Sequence, residues 1–141
     1  MRFLIIVKAT AASEAGEMPE EELIARMGRY HEELAAAGML LDASGLKPSS
    51  AGWRIRYDGD RRTFTEGPFA ETTELVAGFT LIQASSREEA LEWTRRFPNP
   101  AHRGGRGEIE VRPLFELDDF EPSDAFERMR QMELPSQKAG A

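Results

Sequence analysis

Seven residues near the start, Arg2-Phe3-Leu4-Ile5-Ile6-Val7-Lys8, restrict the folds open to this chain more than any other stretch. The apolar run is unbroken between two cations, the pattern of a strand buried on both faces. Successive strand side chains alternate, so Leu4 and Ile6 point one way while Phe3, Ile5 and Val7 point the other. Each large side chain left in water forgoes roughly 1.5–3 kcal/mol of burial. Both faces of this strand therefore need cover.

Two amphipathic helices are available to supply it. After a small, acidic linker from Ala11 to Met18, Pro19 stands where a first helical residue is favoured, with Glu20, Glu21 and Glu22 in the first turn. Leu23, Met27, Tyr30 and Leu34 recur at helical spacing, which predicts a helix from about 19 to 37 ended by Gly38. Met39 to Leu46 reads as a second strand, closed by Lys47-Pro48-Ser49-Ser50. Trp53, Ile55 and Tyr57 alternate with Arg54 and Arg56, and Asp58-Gly59 turns the chain into Arg62-Thr63-Phe64-Thr65, a hairpin signal. Val76 to Ala84 is the next strand. Ser86-Arg87-Glu88-Glu89 is a capping box opening a helix whose core stripe includes Ala90, Leu91, Thr94 and Phe97. A Gly-rich loop around His102, Arg103 and Arg106 leads to a last strand, in which Ile109, Val111 and Pro113 alternate with Glu108, Glu110 and Arg112.

The order is β-α-β, a hairpin insertion, then β-α-β. This is the α+β, ferredoxin-like split βαβ pattern with a β-hairpin insertion. Two helices cover one face of such a sheet, and a second copy of the chain is the simplest cover for the other, which predicts a homodimer. One domain is expected over 1–120. A polar tail over 121–141 follows, with a short helix from Ala125 to Glu133 and a frayed end.

Composition narrows the function classes. The chain has 141 residues and a net charge of −7, so a nucleic-acid backbone is not expected as a direct partner. It has no cysteine, which excludes disulfides, thiolate catalysis and Cys-based zinc sites and fits a reducing compartment. No apolar run is long enough for a membrane span, and the start lacks signal-peptide character, so a cytoplasmic location is expected. Two histidines without HxxxH or HxH spacing give no metal motif, and neither GxSxG nor a dinucleotide fingerprint is placed after a strand. An enzyme built on this chain would use no cofactor.

The ordered motifs resemble the YCII-related family, and within it the DGPF branch. They are Met1-Arg2-Phe3, Arg29-Tyr30-His31-Glu32-Glu33-Leu34 with Ala37-Gly38, and Gly45-Leu46-Lys47-Pro48-Ser49-Ser50. The signature follows as Thr65-Glu66-Gly67-Pro68-Phe69-Ala70-Glu71-Thr72, then Ala77-Gly78-Phe79, Glu89-Ala90-Leu91-Glu92-Trp93 and Ile109-Glu110-Val111-Arg112-Pro113. The resemblance extends to about Phe120. It implies a dimeric α+β barrel, two sheets face to face around a cleft. One departure is Glu66 where the signature has Asp.

Three groups of residues are candidates for chemistry. His31 sits at the edge of the apolar stripe of its helix, half desolvated and reachable. The broader family is similar in pairing a helix His with an Asp, which points to Asp42 as the orienting partner and His31 as a general base. The other reading is an ordinary helix histidine. Arg54 and Arg56, one pleat apart, clamp a small carboxylate or phosphate, or else form a solvated face with Trp53 and Tyr57 packed inward. In the signature, Pro68 fixes the backbone ahead of Phe69. Glu66, Phe69 and Glu71 then either wall a ligand-binding cleft or belong to a structural corner.

Two functions follow. One is a small cofactor-independent enzyme performing an isomerase- or lyase-like proton transfer on a small polar molecule. The other is a non-catalytic module for a small molecule or a protein partner. The resemblance supports the second through DGPF relatives that look like companions of regulatory sigma factors. A dyad bordering a pocket marks the first; an apolar, carboxylate-poor cavity or an exposed apolar patch near the tail marks the second.

Overall fold

The computed structural model describes residues 1–70 and 72–132, with only the backbone of Thr72. Strand β1 (Arg2–Lys8) is followed by a short helix α1 (Ala11–Glu14), helix α2 (Glu21–Ala36) and strand β2 (Leu40–Gly45). The hairpin β3 (Trp53–Asp58) and β4 (Arg61–Glu66) comes next, then β5 (Val76–Gln83), α3 (Arg87–Arg95), β6 (Ile109–Pro113) and α4 (Asp124–Gln131). The fold is α+β. Four strands form one antiparallel sheet in the order β2-β5-β1-β6, while β3 and β4 pair only with each other in a separate two-stranded sheet.

Local chemistry sets the ends of these elements. The segment read as a linker contains α1, because Thr10 and Ser13 form a reciprocal capping box, with Thr10 N–H donating to Ser13 Oγ at 2.8 Å. Helix α2 begins one residue after Glu20, which leaves Pro19 outside it. It ends as expected at Gly38, whose φ of +73° lies in the left-handed region, and Met39 N–H returns to the Leu34 carbonyl at 2.9 Å. At α3 only half of the expected box forms: Ser86 Oγ accepts from Glu89 N–H, while the Glu89 carboxylate takes Ser85 N–H instead.

The core lies on one face of the sheet. Phe3 and Ile5 from β1, Ile82 from β5, Tyr30 and Leu34 from α2, and Ala90 from α3 form one buried cluster, with Trp93, Phe97 and Val111 packed around it. Leu91, expected in this core, is 40 % exposed, since on α3 the inward positions fall on Ala90 and Trp93. On the opposite face Leu4 stands against Leu81 and Ile6 against Phe79 across β1 and β5. Leu4, Ile6 and Phe79 are only half-buried there.

The hairpin does not pack its aromatic face inward. Trp53 and Tyr57 are exposed along with Ile55 and Phe64, and Trp53 stacks on Phe64 across the pair. Near the chain end, Phe120 stacks between Phe115 and Phe126 of α4, with Phe115 exposed. No described helix is long and apolar enough to cross a membrane.

Candidate functional site

The space under the N-terminal half of α2 is not filled. A cavity of about 720 Å³ lies there, walled by Leu23, Met27 and His31 of α2, by Val7 and Thr80 of the sheet, and by Phe97 beyond α3. Glu17 is the one carboxylate among its described lining residues and Lys47 the one ammonium. The small residues Ala43, Gly45 and Gly78 on the strands leave this room, because larger side chains there would fill the gap beneath the helix.

His31 is held by two hydrogen bonds. Its Nδ1 is 2.7 Å from the Met27 carbonyl, one turn back along α2, and its Nε2 is 2.8 Å from Thr80 Oγ1 on β5. A carbonyl can only accept, so Nδ1 carries the proton and donates; Nε2 of the neutral ring then accepts from the threonine hydroxyl. Thr80 is 2 % exposed, the one buried polar residue of the core among the described residues.

Asp42 is not brought to this ring. A register shift between Leu40 and Asp42 sets Asp42 opposite Leu81 and Ala43 opposite Thr80. Asp42 therefore faces away from α2. Its Oδ1 accepts from the adjacent Ala43 N–H at 2.8 Å, and the side chain is exposed.

His102, in the Gly-rich loop after α3, also lines the cavity. Its Nε2 is 2.8 Å from the Glu17 carbonyl and so donates, which leaves Nδ1 buried and without a partner among the described residues. The next residue, Arg103, has φ 54° and ψ 34°, a left-handed conformation uncommon for a side chain of this size. It is tied down twice: its N–H donates to Glu20 at 2.8 Å, and its guanidinium pairs with Glu17 at 3.0 Å. Hydrogen bonds from Glu20's own backbone and from that of Arg103 hold the Glu20 carboxyl below the usual carboxylate range. The partners lie more than 80 residues apart, so no local signal could have joined them.

The signature turn forms a separate construction. Gly67–Pro68 is cis, and Gly67 N–H donates to the Gly52 carbonyl at 3.0 Å. A Cβ on Gly67 would overlap the Ser49 carbonyl, so only glycine fits. Phe69 N–H donates to Ser49 Oγ at 2.9 Å, and Ser49 N–H to the Glu14 carboxylate at 2.7 Å. The Arg54 guanidinium lies 4.0 Å from the centre of the Phe69 ring. Arg56 and Glu66 are exposed on the hairpin. None of Arg54, Arg56, Glu66 and Phe69 lines the cavity under α2, and Glu71 lies outside the described residues.

On β6, Glu110 takes Arg112 at 3.1 Å and Lys8 at 3.4 Å. The hydrogen bond from Arg112, followed by the charge of Lys8, holds its carboxyl below the ordinary value. Among the described residues no group of three or more His, Cys, Asp or Glu is placed to hold a metal ion.

The family model described as "YCII-related domain" matches residues 1–118. An uncharacterized protein of Rhizobium meliloti (strain 1021) is 32% identical over 105 residues, covering 74% of this chain and 83% of that protein.

Proposed function

The chain belongs to the YCII-related family, and from that premise we propose that it is a non-catalytic module that binds a small, largely apolar molecule between α2 and the sheet. The cavity carries this reading. Its volume of about 720 Å³ sits well inside the roughly 300–1,000 Å³ of ordinary ligand pockets. Its walls are mainly apolar, with one carboxylate. A proton-transfer site would need a ring nitrogen of His31 free to meet substrate. Instead one is spent on a backbone carbonyl and the other on Thr80. His31 fastens the helix to the sheet.

A titration with 1-naphthol, followed by methyl NMR, tests this reading. Saturable shifts at Val7, Leu23 and Met27, lost in the cavity-filling variant Ala43→Phe, are expected. Absence of binding, or shifts confined to the hairpin, would overturn it.

We read the assembly in the same way, as a ferredoxin-like protomer paired into a dimeric α+β barrel. The antiparallel order β2-β5-β1-β6 supports the first part. The half-buried Leu4, Ile6 and Phe79 support the second, since a like face on another copy would bury them.

A further inference from the structure

A second pocket, of about 320 Å³, lies on the helices and shares no lining residue with the cavity under α2. Arg26, Arg29, Tyr30 and Glu33 of α2 border it at the three- and four-residue spacings that share one helix face. Arg96 and Pro98, just past the end of α3, complete it. Three guanidiniums thus meet one carboxylate. The chain has 25 acidic residues against 18 Lys and Arg, so acidic partners are not scarce. Yet among the described residues none forms an ion pair with Arg26, Arg29 or Arg96.

The individual groups point the same way. Arg26 and Arg29 are like charges one helical turn apart, an arrangement that destabilises a helix unless something offsets it. Arg26 Nε is buried, and its N–H has no acceptor among the described residues. Arg96 lies over the Trp93 ring at 3.9 Å, which holds the guanidinium plane, and among the described residues its edge donors have no acceptor. The Tyr30 hydroxyl is already spent, donating to the Trp93 carbonyl at 2.7 Å.

We propose that this pocket is an anion site for a compact, doubly charged tetrahedral oxyanion, a phosphate or a phosphate monoester. Three forked donors exceed what the two oxygens of a carboxylate can accept, whereas a phosphate presents at least three oxygens around a tetrahedron. The room beyond a single phosphate suits a small organic substituent, and Glu33 would accept from a hydroxyl on it.

The test uses the full native chain labelled with nitrogen-15, at constant ionic strength balanced with chloride. Inorganic phosphate and glycerol 3-phosphate are titrated while the arginine Nε–H signals are followed. A saturable shift of Arg26 and Arg96, weakened about tenfold or more in Arg26→Gln and in Arg29→Gln but kept in Arg95→Gln, is the expected result. Arg29 is exposed, so its variant keeps the test valid if Arg26→Gln does not fold. Tighter binding of glycerol 3-phosphate assigns a monoester; equal binding assigns the free ion. Small, unsaturating shifts spread over all arginines, the same in every variant, would overturn the site.

Discussion

His31 Nε2 lies 2.8 Å from the hydroxyl of Thr80, and this bond crosses from the middle of α2 to the centre of the sheet. The residues are 49 apart in the chain, and Thr80 is almost wholly buried. The bond occupies the nitrogen that a paired aspartate would have left for chemistry. Both residues line the cavity, so the histidine positions part of its wall.

Thr80→Val keeps the shape but leaves the Nε2 lone pair without a donor, and should cost about 1–3 kcal/mol in urea unfolding. Asp42→Asn, on an exposed side chain, should fall within about 0.5 kcal/mol of the native protein. A double-mutant cycle of His31→Ala with Thr80→Val should show a coupling of about 1 kcal/mol. Strict additivity would mean that the bond contributes nothing.

Gly67→Ala drives a methyl group into the Ser49 carbonyl, a backbone atom that cannot rotate away. Overpacking of this kind costs about 1–3 kcal/mol. A lowered denaturation midpoint is expected, with altered amide signals at Ser49 and Phe69. An unchanged midpoint and spectrum would show that the turn is not pinned on Ser49.

Burial pushes the Tyr30 phenol up to about 12 from an ordinary value of 10.0. The folded state thus favours the neutral phenol. Its contribution is complete below pH 10 and is lost as pH rises toward 12. Spectrophotometric titration of a Tyr57→Phe variant, which leaves Tyr30 as the one tyrosine, should show ionisation near 12 or together with unfolding. Ionisation at pH 10 in the folded protein would contradict it. The Glu110 carboxyl is shifted the other way, so its contribution is present above about pH 4.5 and fades as pH falls through its lowered value. Glu110→Gln should flatten the acid limb of the stability curve.

The half-buried sheet face of Leu4, Ile6 and Phe79 predicts a dimer in sedimentation velocity. Ile6→Asp, which places a charge where a second copy would pack, should yield a folded monomer. A native protein that is monomeric at every concentration tried would remove the barrel from the account.

Much of the fold was legible from local pattern. The stripe Leu23, Tyr30, Leu34 and the stop at Gly38 located α2 to within two residues, because helix periodicity and a left-handed cap are written in neighbouring positions. The unbroken Phe3–Val7 run marked a strand to be buried on both faces; β1 forms there, with Phe3 and Ile5 buried on one face and Leu4 and Ile6 half-buried on the other. Leu91 and the hairpin aromatics were misread for a shared reason. An apolar side chain states what it would bury against, but not whether the partner surface arrives.

The candidate site was far less legible. His31 was recognisable from its place at the edge of the stripe, whereas its partner depended on the register of β2 against β5. One shifted residue there sends Asp42 to the far face and leaves Thr80 beneath the ring. His102, Arg26 and Arg96 gave no signal at all, since each acquires meaning from residues distant in the chain. The amino-acid order by itself determined the longer helices and strands and the stop of α2 at Gly38, which depend on interactions within a few residues. The tertiary structure alone decided which polar groups meet and where space is left, because those depend on strand register and packing between segments, and a single-residue slip reverses the face on which a side chain stands.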